Sequence, residues 1–421
     1  MTSALGRFRL PAPQVYLIAG ASLGGLLFLR HVSTSLTADK YRNVLSPKHN
    51  IYASIEDVET LPYPPNALPG ARDVESPYGS IRVYEWGPED GEKILLIHGI
   101  STPSIALTDL ATKLVEKGFR VMLFGRFCFR SSHCNNMSTY PSCCIHWNPL
   151  AYCCTDLFSR GYSSGPSPHT HRYNSALYTS QIHICLVSSP LHWSTFSIIG
   201  YSLGGALAAD FTSYFPQLVH GLVLVAPGGL VRRSHTTWKS RLLYSTSGLL
   251  PESWIERLVA RRLYTGPQVA RSVEPEPDIK SAETKTANRG DAVYASSHYT
   301  LLPENPHSTV GAVVDWQIKH HKGFVPAFIS SIRYAPVHDE HARWQILGQT
   351  ITDGSGKLAK IYIVLGETDP IIVKDEIIKD ATECLGSGNV EFEVVKGAGH
   401  EVAIERADDV VRTLGKALHI W

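Results

Sequence analysis

The sequence has 421 residues, which is room for two or three average domains or for one large domain with insertions. Hydrophobic residues make up 43%, enough for a sizeable core, and a chain of this composition is not disordered throughout. The 39 basic residues balance the 38 acidic ones, so no overall positive field points to a nucleic acid as partner.

Residues 1–35 are predicted to form a separate N-terminal unit. Val15–Leu29 is almost wholly apolar, but its fifteen residues are fewer than the roughly 20 that span a bilayer. Three interpretations stay open: a membrane anchor, a signal or organelle-targeting segment, and a buried helix. We expect the anchor, with residues 10–30 associating the protein with a membrane. A secreted or organelle-targeted protein is the alternative, and the compartment is not predicted.

Residues 36–79 are polar and rich in proline, which predicts a linker. From residue 80 onward, strand-like and helix-like segments alternate. The predicted strands are Ser80–Trp86, Lys93–His98, Phe119–Phe124, Phe196–Gly200, Gly221–Val225, Ile361–Leu365 and Val390–Val395. The predicted helices are Leu107–Lys117, Leu177–Leu186, Ala206–Phe215, Phe324–Tyr334, Ile372–Cys384 and Arg406–Leu418. This alternation predicts an α/β fold with a mostly parallel central sheet flanked by helices.

The regular pattern lapses between about residue 230 and residue 323. We therefore predict an α/β core in two parts, 80–230 and 324–421, with a helical cap over 231–323. The cap contains a basic amphipathic stretch, Trp254–Leu263, which we interpret as a helix packed on the core rather than one lying on a membrane surface.

The segment Gly125–Thr155 differs in kind from the rest of the chain. It holds six of the eight cysteines and the one Asn-x-Ser/Thr sequence, and it shows neither helical nor strand periodicity. It also separates a predicted strand from a loop that begins at Asp156. A GGT codon for Gly125 can supply the GT that begins an intron, and ACA-GAT for Thr155-Asp156 can supply the AG that ends it. We therefore interpret these 31 residues as translated, unspliced intron. The alternative is a genuine cysteine-rich metal or disulfide module.

The strongest chemical motif is Gly200-Tyr201-Ser202-Leu203-Gly204-Gly205. A G-x-S-x-G turn between a strand and a helix needs small flanking residues, and it lifts the serine hydroxyl clear of the backbone. The sequence contains a second match around Ser22. That serine lies inside the apolar N-terminal segment with no preceding strand, so we assign the nucleophile to Ser202.

A serine nucleophile requires a base and an acid that orients the base. His400 follows the last predicted strand in the sequence Lys396-Gly397-Ala398-Gly399-His400 and is the predicted base. Asp369 follows the penultimate predicted strand and is the predicted acid, with Glu367 as the fallback.

Backbone N–H groups are expected to form the oxyanion hole. Leu203 follows the nucleophile, and Ile100 follows a His-Gly pair at the end of an early strand. His98 of that pair is interpreted as a structural loop residue rather than a base. Cys143-Cys144 and Cys153-Cys154 lack the spacing of a zinc site, and no metal ligand or cofactor-binding residue is predicted.

These motifs resemble the α/β-hydrolase fold superfamily, specifically serine hydrolases with a helical cap. The order Ser202, Asp369, His400 is the order that this superfamily uses. Asp156–Ser163 resembles its D-x-x-G-R-G-x-S loop, with Ser159 in place of a glycine. The serine at the elbow differs from the aspartate of epoxide hydrolases and dehalogenases, and the sequence is most similar to the branch of esterases and C–C bond hydrolases.

The resemblance implies a hydrolase that cleaves an ester of an apolar small molecule or lipid through a Ser-His-Asp triad and an acyl-enzyme, without a cofactor. A C–C bond hydrolase with the same triad, and a ligand-binding protein that keeps the fold without catalysis, are the alternatives. The oligomeric state is not predicted.

Overall fold

The computed structural model describes residues 43–47, 61–124, 156–235, 237–264 and 298–420. Asn43–Trp421 forms one compact unit. Two predicted segments, the N-terminal unit 1–35 and the cysteine-rich segment 125–155, lie outside the described residues. Within the described ranges, no helix combines the length and the apolar character needed to cross a bilayer.

A central sheet carries the site. In chain order, the strands of the described residues are β1 (Asn43–Val44), β2 (Ala71–Val74), β3 (Ile81–Trp86), β4 (Lys93–Ile97), β5 (Arg120–Phe124), β6 (Gly165–Pro166), β7 (Phe196–Tyr201), β8 (Val219–Val225), β9 (Thr300–Leu302), β10 (Asn305–Thr309), β11 (Ile361–Gly366) and β12 (Val390–Val395). Eight of them form one sheet in the order β12-β11-β8-β7-β4-β5-β3-β2. Neighbouring strands from β12 to β5 are parallel, whereas the β5–β3 and β3–β2 pairs are antiparallel. The predicted fold class is confirmed.

Helices cover the sheet and continue into the cap. In the described residues they are α1 (Thr108–Glu116), α2 (Ser175–Val187), α3 (Leu203–Tyr214), α4 (Trp238–Leu243), α5 (Glu252–Leu263), α6 (Val310–His320), α7 (Phe324–Tyr334), α8 (His341–Thr352), α9 (Lys374–Leu385), α10 (Val402–Glu405) and α11 (Ala407–Ala417). Helix α1 packs against α11, whereas α3 contacts α2 and α8, and α8 contacts α9. These two groups of helices enclose the central strands. Leu222–Val225 of β8, for example, is buried and apolar throughout because both faces of the sheet are covered.

The predicted linker 36–79 is wrong at its C-terminal end. Strand β2 lies inside it and pairs antiparallel with β3 at the edge of the sheet. Two of the four residues of β2 are charged and form ion pairs with β3, Arg72 with Glu85 and Asp73 with Arg82. A short edge strand of this kind has the composition of a linker.

Helix α7, which begins the second part of the predicted core, also packs against the cap. Phe324, Phe328 and Ile329 lie in one buried cluster with Ile255 and Val259 of α5, whereas Ala327 belongs to the main core cluster. Helical periodicity located α7 but did not identify its packing partner. The stretch Trp254–Leu263 lies in α5, and its Ile255 and Val259 are buried in that cluster.

Several elements were not predicted from the sequence, among them the hairpin of β9 and β10 and helix α8. The hairpin of β9 and β10 contacts the 3₁₀ turn Ser104–Leu107 and α1, and therefore belongs to the core layer. Helix α8 packs between α3 and α9. Both carry mixed polar and apolar residues without a regular period.

Candidate active site

Ser202 lies at a sharp turn between β7 and α3. Its backbone has φ 54° and ψ −116°, a conformation that non-glycine residues rarely adopt and that is typical of a nucleophile elbow. Its N–H donates to the Val225 carbonyl at 2.9 Å, and its own carbonyl accepts from Gly228 N at 3.0 Å. Backbone hydrogen bonds to the adjacent strand end therefore hold the strained turn in place.

Three glycines make this turn possible. A Cβ atom on Gly200 would lie 2.3 Å from the Gly204 carbonyl oxygen, and one on Gly204 would lie 2.0 Å from the Ile97 carbonyl oxygen. A Cβ on Gly205 would approach Pro227 to 2.7 Å. The G-x-S-x-G-G spacing is thus required by close backbone contacts.

The structure brings Ser202, His400 and Asp369 into one hydrogen-bonded chain. His400 Nε2 is 3.0 Å from Ser202 Oγ, and His400 Nδ1 is 2.8 Å from Asp369 Oδ2. Asp369 Oδ1 accepts from the N–H groups of Ile371 and Ile372, which fixes the carboxylate. In this arrangement Nδ1 donates to the carboxylate, and the Nε2 lone pair faces the serine hydroxyl.

Glu367, the fallback acid, does not contact His400. Its carboxylate is exposed and accepts from Gly397 N at 3.0 Å. Asp369 lies two residues after Glu367, and its side chain is only 1% exposed. The His400 side chain that it contacts is 14% exposed. The geometry therefore selects Asp369 as the partner of the histidine.

The two expected oxyanion donors lie beside the serine. A Cβ on Gly99 would lie 3.5 Å from Ser202 Cβ, which places the His-Gly loop directly against the nucleophile. Ile100 and Leu203 both line the cavity that contains Ser202. Neither of their N–H groups has an acceptor among the described residues. Both donors are therefore available to an oxygen bound at Ser202.

A cavity of about 880 Å³ lies between the core and the cap. Core residues Ser202 and His400 line its floor. The cap contributes both apolar and basic side chains: Tyr244, Val259, Leu263, Phe328, Ile332, Arg233, Arg241, Arg262 and Arg333. The cavity therefore combines an apolar cap surface with the Ser202 hydroxyl on the core side.

One pair beside the histidine was not predicted. Tyr201 Oη donates to Glu401, and the Tyr201 ring lies 5.5 Å from the His400 ring. Burial raises the pKa of both the Tyr201 hydroxyl and the Glu401 carboxyl. Their positions next to Ser202 and His400 in the sequence were the available signal.

The Asp156 loop, identified by its resemblance to a family motif, lies behind the oxyanion loop. Asp156 Oδ1 accepts from Ser104 N and Ser104 Oγ, both at 2.7 Å, and Oδ2 accepts from Tyr162 N at 3.0 Å. Burial raises the pKa of Asp156 to about 6. This carboxylate holds backbone segments together and does not reach the cavity. Within the described ranges, no group of three or more histidine, cysteine or acidic side chains could hold a metal ion.

Comparison with known proteins gives a family-level match. A family model described as alpha/beta hydrolase fold matches residues 150–407, more than half of the chain. The match begins after strands β3, β4 and β5, which the structure nevertheless places in the same sheet.

Curated relatives share only part of the chain. A serine hydrolase-like protein of Danio rerio is 25% identical over 158 residues, 37% of each chain. An uncharacterized protein of Mycobacterium tuberculosis is 30% identical over 142 residues, 34% of this chain and 31% of that protein. The chain thus spans about a third of the length of these relatives.

Solved structures show the fold. A membrane phospholipase A, described as a bacterial virulence factor, has 16% identity and a TM-score of 0.50 over 95% of this chain and 99% of its own. A bromoperoxidase from Bacillus anthracis has 14% identity and a TM-score of 0.50 over 83% and 99%.

Proposed function

The chain belongs to the α/β-hydrolase fold family, and within that family we propose that it is a serine hydrolase that cleaves an ester of an apolar small molecule or lipid. The observation that carries the proposal is the chain of hydrogen bonds from Ser202 through His400 to Asp369, at 3.0 and 2.8 Å, on a strained elbow. A binding protein has no need of a strained serine aimed at a histidine.

The proposed reaction has two halves. Ser202 Oγ attacks the ester carbonyl carbon while its proton moves to His400 Nε2, giving a tetrahedral oxyanion. The N–H groups of Ile100 and Leu203 donate to that oxyanion, and the carboxylate of Asp369 stabilises the imidazolium. The intermediate collapses to an acyl-enzyme as the alcohol leaves with the proton from His400.

Water completes the cycle. His400 takes a proton from a water molecule, and the resulting hydroxide attacks the acyl-enzyme carbonyl through a second oxyanion. Collapse releases the carboxylic acid and returns the proton to Ser202 Oγ. The apolar cap residues Val259, Leu263 and Phe328 in the cavity support an apolar acyl or alcohol group as the part of the substrate that gives affinity.

Labelling with a fluorophosphonate probe tests the proposal directly. The full chain should be labelled, and peptide mass spectrometry should locate the adduct on Ser202. Ser202→Ala should abolish labelling. Ser22→Ala, in the second G-x-S-x-G sequence, is the matched control and should be labelled as efficiently as the unmodified protein. A folded protein that neither reacts with the probe nor hydrolyses a panel of aryl esters of different chain lengths would contradict the proposal.

A further inference from the structure

The peptide between Gly99 and Ile100 decides whether one oxyanion donor exists. This inference rests on the proposed function, in which Ile100 N–H binds the oxyanion. The C=O and N–H of a trans peptide point in opposite directions, so a group that holds the Gly99 carbonyl also directs the Ile100 N–H. His98 Nδ1 lies 2.7 Å from that carbonyl oxygen.

The hydrogen bonds of His98 determine its tautomer. Its Nε2 accepts from Leu157 N at 2.8 Å, and a backbone N–H can only donate. Nδ1 must therefore carry the hydrogen and donate it to the Gly99 carbonyl. The side chain is buried, and burial lowers its pKa to about 3. His98 thus stays neutral, with the same tautomer, over the range in which an esterase works.

Arg160 holds the next peptide in the same loop. Its Nε donates to the Ile100 carbonyl at 2.7 Å, and another guanidinium nitrogen donates to Ser331 Oγ of α7 at 3.1 Å. The side chain is fully buried, and among the described residues no carboxylate lies within ion-pair distance of it. The third guanidinium nitrogen donates to the Phe158 and Ser159 carbonyls at 3.3 and 3.4 Å. Hydrogen bonds alone therefore hold this buried charge, and they connect the oxyanion loop to the Asp156 loop and to the cap.

We propose that His98 and Arg160 are positioning residues that keep the oxyanion loop in its working orientation. Each binds one of the two carbonyls that flank Ile100, so neither of the peptides can rotate independently. Their own partners, Leu157 and Ser331, lie in the Asp156 loop and in the cap. The oxyanion donor is therefore set before substrate binds, and its geometry depends on elements distant in the sequence.

Two substitutions of His98 separate its two hydrogen bonds. The amide nitrogen of asparagine can occupy the place of Nδ1 and keep the bond to Gly99, whereas the amide of glutamine reaches the place of Nε2 and keeps only the bond to Leu157. We expect His98→Gln to lower kcat about 10- to 100-fold with little change in KM, because loss of an oxyanion donor costs about 100- to 1,000-fold and misorientation costs less. His98→Asn should stay within about threefold of the unmodified protein in kcat.

His321 provides the matched control for removing a buried neutral histidine. It is also buried, its Nε2 lies 2.9 Å from the Ser163 carbonyl oxygen, and burial lowers its pKa to about 4. His321→Asn should lower thermal stability and leave kcat unchanged. Titration of the active sites with a fluorophosphonate corrects every kcat value for unfolded protein.

Arg160→Lys gives an independent measurement should the His98 variants fold poorly. Lysine keeps the charge but lacks the planar fork that serves both carbonyl and hydroxyl. We expect kcat to fall at least tenfold, and the affinity for a boronic acid, which mimics the tetrahedral oxyanion, to fall with it. Arg82→Lys is the control, because the Arg82 side chain is also fully buried, and it should change neither value.

The outcomes are distinguishable. If the unmodified protein hydrolyses no ester, the proposed function fails and the positioning roles fall with it. If the unmodified protein is active but His98→Gln and His98→Asn have equal kcat, and Arg160→Lys binds the boronic acid normally, the oxyanion loop is held by other contacts and the inference is overturned.

Discussion

We predict that deleting residues 125–155 stabilises the fold. Phe124, the last residue of β5, pairs with Val83 of β3. The next residue of β3 in the antiparallel ladder is Arg82, whose N–H donates to Ser163 Oγ at 3.4 Å. That hydroxyl donates to the Asp156 carbonyl at 2.8 Å. Asp156 therefore lies close to the point where β5 ends, and a direct Phe124–Asp156 bond would continue the strand into its loop.

The magnitude follows from chain entropy. Closing 31 residues between two fixed points costs about 3 kcal/mol in a chain segment that makes no stabilising contacts of its own. Deletion should raise the free energy of unfolding by that amount, which corresponds to a rise in Tm of about 3–4 °C for a protein of this size. Hydrolysis of the aryl esters should be retained or increased, because Leu157 N supports His98 directly behind the new junction.

Thermal and urea unfolding of three proteins measure this effect: the full chain, the deletion variant and a variant with 31 glycine and serine residues in place of 125–155. The glycine–serine variant should match the full chain and be less stable than the deletion variant. A full chain that is more stable than both others would refute the reasoning and favour a cysteine-rich module with its own metal or disulfides. Transcript sequencing across this region gives the genetic answer, since spliced messages should lack all 31 codons.

Three further outcomes are expected. Ser202→Ala should lower kcat at least about 1,000-fold while unfolding stays cooperative, because the reaction needs the hydroxyl; substantial residual activity would contradict its role. Deleting residues 1–30 should move the protein from the membrane to the soluble fraction on ultracentrifugation, with ester hydrolysis intact, and unchanged partitioning would rule out the anchor. Lowering the pH from 7 to 5 should reduce the free energy of unfolding by about 2 kcal/mol for each of His98 and His321. Their pKa values are lowered in the folded protein, so in this pH range only the unfolded chain binds a proton at these two side chains. The raised pKa of Asp156 acts in the opposite direction and stabilises the fold by about 1 kcal/mol over the same range. Urea unfolding at the two pH values measures the change, to which these three groups should together contribute a net loss of about 2–3 kcal/mol.

The sequence alone determined the elements whose signals are local. Apolar runs located the buried parallel strands, and the elbow around Ser202 was identified because its glycines and its strand–helix setting are contiguous in the chain. His400 was found in the same way, from the glycines that precede it. The fold class followed from the alternation of these elements, since a parallel sheet requires a crossover between successive strands.

Tertiary structure decided what depends on partners distant in the sequence. Asp369 and Glu367 are two residues apart, and only the packing of the strand ends turned one carboxylate to His400 and the other to Gly397. The polar strand β2 has the composition of a linker, because its pairing with β3 produces no hydrophobic pattern in its own sequence. His98 and Leu157 are 59 positions apart and Arg160 and Ser331 are 171 apart, so no local period could reveal that these side chains hold the oxyanion loop. A local pattern reports which face of a segment is apolar, whereas the identity of the group that meets a buried polar atom is fixed only when the chain has folded.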